Sequence, residues 1–421
     1  MENGMEKRPA TIRTSNLPAN ILPLTATTQL QNTLSVRDTF PFKSFHSIPS
    51  LPAVLTNLAL SGAALVAAAA SIFVTGVIFL PLGILKSTVS TLLVPFNYTR
   101  RRLGEKLPDQ TGKRRCVVIN GASSGIGAAL VSEYANPNTH LVLLARSIPR
   151  LKKVAATARA LGATTSIHSL DYFESGNIDA MRQLLKDVDR ELSGIDIAIS
   201  CVGVTAHRQD VLGRKDPDKD NIDGLAPEIA ETVRPMETGE QWGHTTAARM
   251  LRINVEAMQA FVLTAWELMK ARRLTLATTK SGDGVYNPKI VFMASSAAFF
   301  YPANFSLYSA SKAYLYALGQ SLQTLSAPYG IQITTVCPGF IESGMTITMI
   351  EDGCPVPISV FGDPRKLAAR IRTGEERNDR VVVYPLAQAL PLFGCRALNP
   401  LLEVLGQWVG LATGSAAWTP T

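Results

Sequence analysis

Charge is scarce in this chain, and paired cysteines are absent. Of 421 residues only 18% are charged while 46% are hydrophobic. That balance excludes a polypeptide disordered throughout, which needs low hydrophobicity and high net charge. The five cysteines (Cys116, Cys201, Cys337, Cys354 and Cys395) are odd in number and scattered, with no CxxC pair among them. A disulfide framework is therefore not expected, and a reduced, cytosol-facing protein fits better. Nothing in the sequence points to a metal site. The net charge of +8 could suggest nucleic acid as a partner, but there is no nucleic-acid motif and no basic patch interleaved with aromatics. Much of the positive excess instead sits at Arg100-Arg101-Arg102 and Lys113-Arg114-Arg115, directly after an apolar segment. Such placement points to an anionic membrane surface.

No charged residue occurs from Phe45 to Leu85. Within that stretch, Leu58–Leu80 (LALSGAALVAAAASIFVTGVIFL) matches the roughly 20 apolar residues that cross a bilayer as a helix. It is too long and too far from the start for an ordinary signal peptide. A membrane anchor is expected, against the alternatives of a buried core helix or a surface hairpin. Pro81 and Gly83 break the pattern, and Ile84–Phe96 is a second apolar piece interrupted by Lys86. One span is the simplest count, and two remain open. The arginines downstream favour a cytoplasmic position for the rest of the chain. Residues 1–50 are rich in Ser, Thr, Pro and Asn and read as a flexible leader. They also hold few acids and several bases, so a mitochondrial transit peptide is an alternative, although no long Arg-rich amphipathic helix is evident.

Beyond Arg115 the chain alternates between short apolar runs and helical patterns, which predicts an α/β fold with a doubly wound parallel sheet, a Rossmann fold. Cys116–Asn120 (CVVIN) is the first predicted strand and feeds into Gly121-Ala-Ser-Ser-Gly-Ile-Gly127, with a helix from Ala128 to Tyr134. Strand, glycine-rich turn and helix start make a pyrophosphate site. Gly121 supplies the tight turn, Gly125 close backbone approach, and Gly127 close packing of helix on strand, while the helix N-terminus offers N–H groups and positive dipole. A second strand, His140–Ala145, ends at Arg146. At that place an acid prefers a ribose 2′-hydroxyl and an arginine accommodates a 2′-phosphate. Arg146, backed by Ser123 and Ser124, therefore argues for NADP(H). A third strand near Thr165–Ser169 leads to Asp171, placed either to accept from an adenine amino group or to cap a helix beginning near Glu174. Strands Asp196–Ser200, Lys289–Ala294 and Gln332–Val336 end in Cys201-Val202-Gly203, Ser295 and Cys337-Pro338-Gly339. Ligands of such sheets bind at the carboxyl ends of the strands, and every one of these motifs lies there. Tyr308 and Lys312, four apart on a predicted helix, share a face one turn apart. A phenol beside an ammonium favours its phenolate form and can then exchange a proton with an alcohol or ketone oxygen near neutral pH.

The set GASSGIG (121–127), Ser295, YSASK (308–312) and CPGFIES (337–343) resembles the short-chain dehydrogenase/reductase family in its three-glycine, Tyr-x-x-x-Lys form. The resemblance covers about 114–345. It implies Tyr308 as general acid/base, and Lys312 as the group that lowers its pKa and binds the nicotinamide ribose. It also implies Ser295 as hydrogen-bond donor to the substrate oxygen, with Ser296 as fallback. Asn254 would anchor a water that relays protons to Lys312. Pro338, Gly339, Ile341 and Ser343 would line the nicotinamide, and Gly121, Ser123, Ser124, Gly125, Ile126, Gly127, Arg146, Asp171, Ser200 and Gly203 complete the implied cofactor set. Two departures stand out. The family's Asn-Asn-Ala-Gly after the fourth strand is Ser200-Cys201-Val202-Gly203 here, which alters an adenosine-side contact. The interval from Gly203 to Asn254 is also unusually long, with a densely charged stretch Arg208–Asp223 that reads as a solvated loop or, alternatively, a lid or partner surface.

The expected organisation is a leader over 1–50 and a membrane anchor over 51–98. A catalytic domain over 112–345 comes next, with an insert at 205–247. A substrate loop and apolar extension over 346–421 complete the chain. From Tyr384 to Trp418 only Arg396 and Glu403 are charged, so this end either covers a substrate pocket or lies on a membrane. The expected activity is interconversion of a lipophilic ketone and a secondary alcohol by an NADP(H)-dependent oxidoreductase. Such an enzyme would be held at a membrane, the endoplasmic reticulum first and the mitochondrion second, with a homodimer as the candidate assembly. A secondary-metabolite ketoreductase, and a tethered protein using the fold only to sense a nucleotide or as a scaffold, are the alternatives.

Overall fold

The structure is a computed structural model and describes residues 51–82, 84–85, 114–205, 247–279, 286–299, 301, 306–351 and 356–388. The leader over 1–50, nearly all of the second apolar piece, the Arg100–Arg102 cluster, almost the whole insert and the tail from 389 onward lie outside the described residues.

The first described element is helix α1, Leu51–Val74, which continues through a π turn, Thr75–Phe79. Val54–Leu82 forms one helical run of 29 residues in which no described side chain is buried, and the expected span falls inside it. At 1.5 Å per residue it reaches roughly 43 Å. By length and composition it can cross a membrane. Leu58, Leu65 and Ile72 are each about 70% exposed (69%, 72% and 73%).

The other described residues build one sheet of seven parallel strands. They are β1 Arg115–Asn120, β2 Thr139–Ala145, β3 Thr164–Ser169, β4 Ile197–Ser200, β5 Lys289–Met293, β6 Gln332–Pro338 and β7 Val381–Tyr384. Their order is β3-β2-β1-β4-β5-β6-β7. The chain builds outward in one direction from β1 to β3, then returns to the other side of β1 for β4, so the topological switch lies between β1 and β4. There Asn120 stands in register with Ser200 on one side and Leu144 on the other. Apolar residues run almost unbroken along β1, β2 and β5 because both faces of a parallel sheet are covered.

Alternation along each strand splits the core into two layers. Val118, Val142, Ala198, Ile290 and Phe292 face α4 (Asn177–Glu191), α5 (Met258–Thr279) and α6 (Ser306–Ser326). Val117, Ile119, Leu141, Leu143, Ile199 and Val291 face α2 (Gly125–Tyr134), α3 (Ile148–Ala160) and α8 (Pro364–Arg377). Each large side chain so buried contributes about 2 kcal/mol relative to exposure. The helix starts are written locally. Ser147 caps α3 by accepting from the Arg150 backbone, Asp363 caps α8 by accepting from Arg365 at 2.7 Å, and each helix carries a proline in its first turn. A further helix, α7 (Gly344–Glu351), comes after β6.

The seventh strand lies beyond residue 345, so the sheet continues into what reads from the sequence as an apolar extension. β7 adds to β6 with Thr335 opposite Val381 and Pro338 opposite Tyr384. At the amino ends of the strands, Glu375 of α8 is 1% exposed. It is paired with Lys289 at 2.6 Å, lies 3.4 Å from Arg115, and accepts from the Tyr134 hydroxyl at 3.2 Å. A buried carboxylate holds only with such partners. This cluster fastens the end of the sheet opposite the motifs.

Candidate active site

The glycine turn between β1 and α2 is shaped as its residues require. Gly121 has φ +87, in the left-handed region, and a Cβ on it would lie 3.0 Å from the backbone of Cys201 and Val202. A Cβ on Gly127 would stand 2.0 Å from the Gly121 carbonyl oxygen, so α2 can start this close to the turn only with glycine there. Gly125 has φ +53, and its missing Cβ leaves room for Ser343, whose Cβ would be 3.3 Å away. This last contact brings the loop after β1 against the loop after β6. Ser124 is the extended N-cap of α2 and is exposed, while Ser123 and Ile126 are half-buried. The first N–H groups of α2 have no intrahelical acceptor, and the helix dipole adds positive potential at the same place. The fit to a pyrophosphate is thus carried by a backbone cradle that side chains would fill.

At the end of β2, Arg146 is exposed and its guanidinium lies 5.8 Å from the centroid of the Phe173 ring. The Ser169 hydroxyl donates to the Arg146 carbonyl at 2.8 Å. Asp171 accepts from the Phe173 backbone at 3.1 Å, and its carbonyl accepts from Asn177 at 2.8 Å. One carboxylate oxygen is therefore engaged in a local turn. The helix beyond starts at Asn177, after Gly176 in the left-handed region, rather than near Glu174. Ser200, at the end of β4, is fully buried and accepts from the Asn120 amide at 3.3 Å.

Across the switch point the other expected residues converge. Lys312 is 3% exposed, and its ammonium donates to the Met293 carbonyl at 3.3 Å. It lies 5.6 Å from the centroid of the Tyr308 ring. Burial pulls the Lys312 pKa down to about 8, opposed by Cys201 and Cys337. Burial also holds both of those thiols up at about 12, so they stand as neutral neighbours of the ammonium at pH 7. Helix α6 can bring Tyr308 and Lys312 this close to the sheet because of Gly319, where a Cβ would sit 2.0 Å from the Thr335 hydroxyl. Gly203 lies between Lys312 and Asn254. A Cβ there would be 3.2 Å from the Lys312 nitrogen and 3.6 Å from the Asn254 side-chain oxygen.

Asn254 occupies a π turn, Arg252–Ala257, and is fully buried. Its side chain accepts from Val204 N–H at 2.8 Å, donates to Val204 C=O at 2.9 Å and donates to Ser311 Oγ at 3.2 Å. Both amide protons are used, and one lone pair of Oδ1 is left over. Ser311 in turn donates to the Tyr308 carbonyl at 2.7 Å, which links Asn254 to the turn carrying Tyr308. Ser295 is 8% exposed; its hydroxyl accepts from Ala297 N–H at 3.1 Å and donates to Pro338 C=O at 3.4 Å. Ser296, also buried, opens the 3₁₀ turn that Ser295 caps.

At the end of β6 and just beyond it, Pro338 and Ile341 are buried while Gly339 and Ser343 are half-buried. Residues well outside the motifs hold this loop. Gly339 N–H donates to Tyr384 at 2.9 Å, Phe340 N–H to the Gln388 side chain at 2.8 Å, and the Phe340 ring stacks on Phe361 at 5.7 Å. Thr346, 7% exposed, donates to the Ile341 carbonyl at 2.8 Å and accepts from Ser343 N–H at 2.9 Å. Gln388 and Thr346 carry no motif, and only the fold brings them to the site, while Ser311 lies inside YSASK without a role the sequence could assign. Cys201 and Cys337 were visible in sequence as strand ends, but not as neighbours of Lys312.

The arrangement is one crevice at the carboxyl ends of β1 to β6. A glycine-lined backbone cradle and an arginine lie on one side of the switch, and a phenol, an ammonium and a serine hydroxyl on the other. The short chain dehydrogenase family model matches residues 115–223 and 233–353, more than half of the chain. An 11-beta-hydroxysteroid dehydrogenase 1A from Arabidopsis thaliana is 29% identical over 236 residues, covering 55% of this chain and 54% of that protein. A fatty acyl-CoA reductase from Mycobacterium tuberculosis is 28% identical over 298 residues, covering 70% of this chain and 85% of that one. Among solved structures, a short-chain dehydrogenase from Sphingobium yanoikuyae in complex with NADPH is 22% identical, covers 71% of this chain and 95% of its own, and has a TM-score of 0.47. The chain belongs to the short-chain dehydrogenase family and is an oxidoreductase of that type.

Proposed function

We propose, from that membership, that the chain is a membrane-anchored NADP(H)-dependent oxidoreductase that interconverts a lipophilic ketone and a secondary alcohol. The observation that carries the chemistry is the Lys312 ammonium, buried and 5.6 Å from the Tyr308 ring. A bound nicotinamide supplies or accepts the hydride at the carbon. In the reductive direction Tyr308 gives its hydroxyl proton to the carbonyl oxygen as that oxygen gains charge, and Ser295 donates a second hydrogen bond to the same oxygen. Lys312 stabilises the phenolate left behind and holds the nicotinamide ribose. Asn254, through its remaining lone pair beside Gly203, anchors the water that returns a proton to Lys312. Pro338, Gly339, Ile341 and Ser343 form the wall along the nicotinamide.

On the other side, Gly121, Ser123, Ser124, Gly125, Ile126 and Gly127 would hold the pyrophosphate, Asp171 the adenine, and Ser200 and Gly203 the floor of the crevice. Arg146 would pair with the 2′-phosphate. The lipophilic substrate is inferred from the apolar, exposed side chains on the segments beyond β6 and β7. Ile347 is 48% exposed, Ile358 66% and Leu386 63%. The named activities of the relatives, on a steroid and on a fatty acyl group, agree with this. The run Val54–Leu82 would be the anchor, and the basic clusters that come after it in sequence favour a cytosolic catalytic domain, at the endoplasmic reticulum in the first instance. The catalytic domain would begin near residue 112, and a homodimer is the expected assembly.

The direct test is oxidation of NADPH and NADH by the full chain in detergent with a panel of long-chain and steroid ketones. NADPH should be used at least about tenfold better. Replacing Arg146 by aspartate should lower that preference by about 30–100-fold, the worth of a charge-assisted hydrogen bond at 1.4 kcal/mol per decade. An unchanged ratio would remove Arg146 from the phosphate site. The anchor has a separate test: extraction of membranes with alkaline carbonate should leave the protein in the pellet, and release into the supernatant would refute a spanning segment.

A further inference from the structure

The motif after β4 departs from the family pattern at Ser200, Cys201 and Val202, yet these residues line the crevice where the sheet reverses. The structure places something else beneath them. Asn120, the last residue of β1, is completely buried, and its amide donates to Ser200 Oγ at 3.3 Å. Its carbonyl oxygen accepts from the Tyr172 hydroxyl at 2.9 Å. Tyr172 is 4% exposed, and burial pushes its phenol well up, which keeps it a donor. One asparagine therefore joins the ends of β1 and β4 to the segment just after β3.

The residues next to this bridge lead to the crevice. The Asn120 main-chain carbonyl accepts from Cys201 N–H at 2.7 Å. The next residue, Gly121, has its open face against Cys201 and Val202. The neighbours of Tyr172 are Asp171 and Phe173, the latter lying under Arg146. The Tyr172 carbonyl accepts from Arg252 at 2.8 Å, and the same guanidinium reaches the Glu174 carbonyl at 2.9 Å. Arg252 opens the π turn that carries Asn254.

We infer that Asn120, bridging Ser200 and Tyr172, is a positioning residue for the dinucleotide: it sets the spacing of the β1 and β4 ends and seats the adenosine-side segment 171–174. The inference rests on the cofactor reading under Proposed function. Without the bridge, two parallel strand ends meet at a crevice with this side-chain tie gone. The glycine turn, built on the same backbone, is then held against Cys201 and Val202 by the main-chain bond and strand pairing alone. The central position of Asn120 also sets an order of effects, since it makes both bonds while Ser200 and Tyr172 make one each.

The test is direct titration of the full chain in detergent with NADPH, read by nucleotide fluorescence, together with the melting temperature of the cofactor-free protein. Ser200→Ala and Tyr172→Phe should each weaken NADPH binding about 5-fold, and Asn120→Ala about 20-fold, as expected for one and two buried hydrogen bonds. The double variant S200A/Y172F should match Asn120→Ala within about 3-fold. A role confined to stability would lower the melting temperature and leave the Kd of the folded protein unchanged, and that result overturns the inference. So does equal binding by wild type and Y172F, a variant that removes a single oxygen and keeps the test open if Asn120→Ala fails to fold. A wild type that binds neither NADPH nor NADH overturns the cofactor reading and this inference together. A wild type that binds while the three variants are indistinguishable from it overturns this inference alone.

Discussion

Replacing Tyr308 by phenylalanine is expected to lower turnover of any accepted ketone by about 10³-fold, within the range a positioned general acid contributes, while the protein still folds and still binds NADPH. The ring is only half-buried and packs beside the core with Leu307 and Tyr316, so the loss of one hydroxyl leaves the packing of α6 intact. The hydride donor is also untouched. The proton for the substrate oxygen disappears, and Ser295 cannot replace it. Its hydroxyl is held between Ala297 and Pro338, whereas the Lys312 ammonium lies over the Tyr308 ring. Single-turnover oxidation of bound NADPH separates this loss from any change in binding. Turnover within 10-fold of wild type would mean that the chemistry lies elsewhere in the crevice.

That expectation draws on residues the sequence already singled out, and the reason is physical. Strands of a parallel sheet are buried on both faces, so β1, β2 and β5 appear as bounded apolar runs. Their carboxyl ends are where glycine, serine and proline interrupt those runs. Tyr308 and Lys312 needed only the period of a helix. β7 was not legible in the same way. Its four residues, Val381–Tyr384, sit between Arg380 and a proline and come after a stretch without motifs. The signal that could have found it is the helix before it, with Asp363-Pro364 at its start and Asn378 in the left-handed region at its end.

Contacts made through space were hidden altogether. Nothing about Asn254 in the sequence shows that a π turn would carry it, or that Val204 and Ser311 would take both of its amide protons. Nor does the sequence show that Gln388, fifty residues beyond the strand end at Pro338 by number alone, would close over Gly339 and Phe340. The departure at Ser200–Val202 reads from the sequence as a lost contact. In the fold, the same place holds a hydrogen-bonded bridge whose longer partner stands on the neighbouring strand.

Replacing Lys312 by methionine should separate function from stability most sharply, because it removes a group the fold is under strain to keep charged. In the folded, cofactor-free protein the Lys312 pKa falls from 10.5 to about 8. The charged form is therefore disfavoured by folding, at a cost of roughly 3 kcal/mol at 1.36 kcal/mol per pKa unit. The sign follows from the direction of the shift. A lysine with a lowered folded pKa costs stability fully below about pH 8, and the cost fades as pH rises from there toward the unfolded value of 10.5. Methionine has similar length and no charge, but it leaves the Met293 carbonyl without its donor, which returns about 1 kcal/mol of the gain. The apo variant should thus be more stable than wild type by about 1–2 kcal/mol at pH 7, with the difference shrinking toward zero by about pH 10. Turnover should fall by about 10³-fold, since the phenolate of Tyr308 loses its counter-charge. Urea denaturation of the apo proteins at both pH values, beside turnover at pH 7, reads both sides. A variant that is inactive and less stable at pH 7 would show that Lys312 is a structural cation. One that is more stable by the same amount at pH 10 would show that its charge is not what burial opposes.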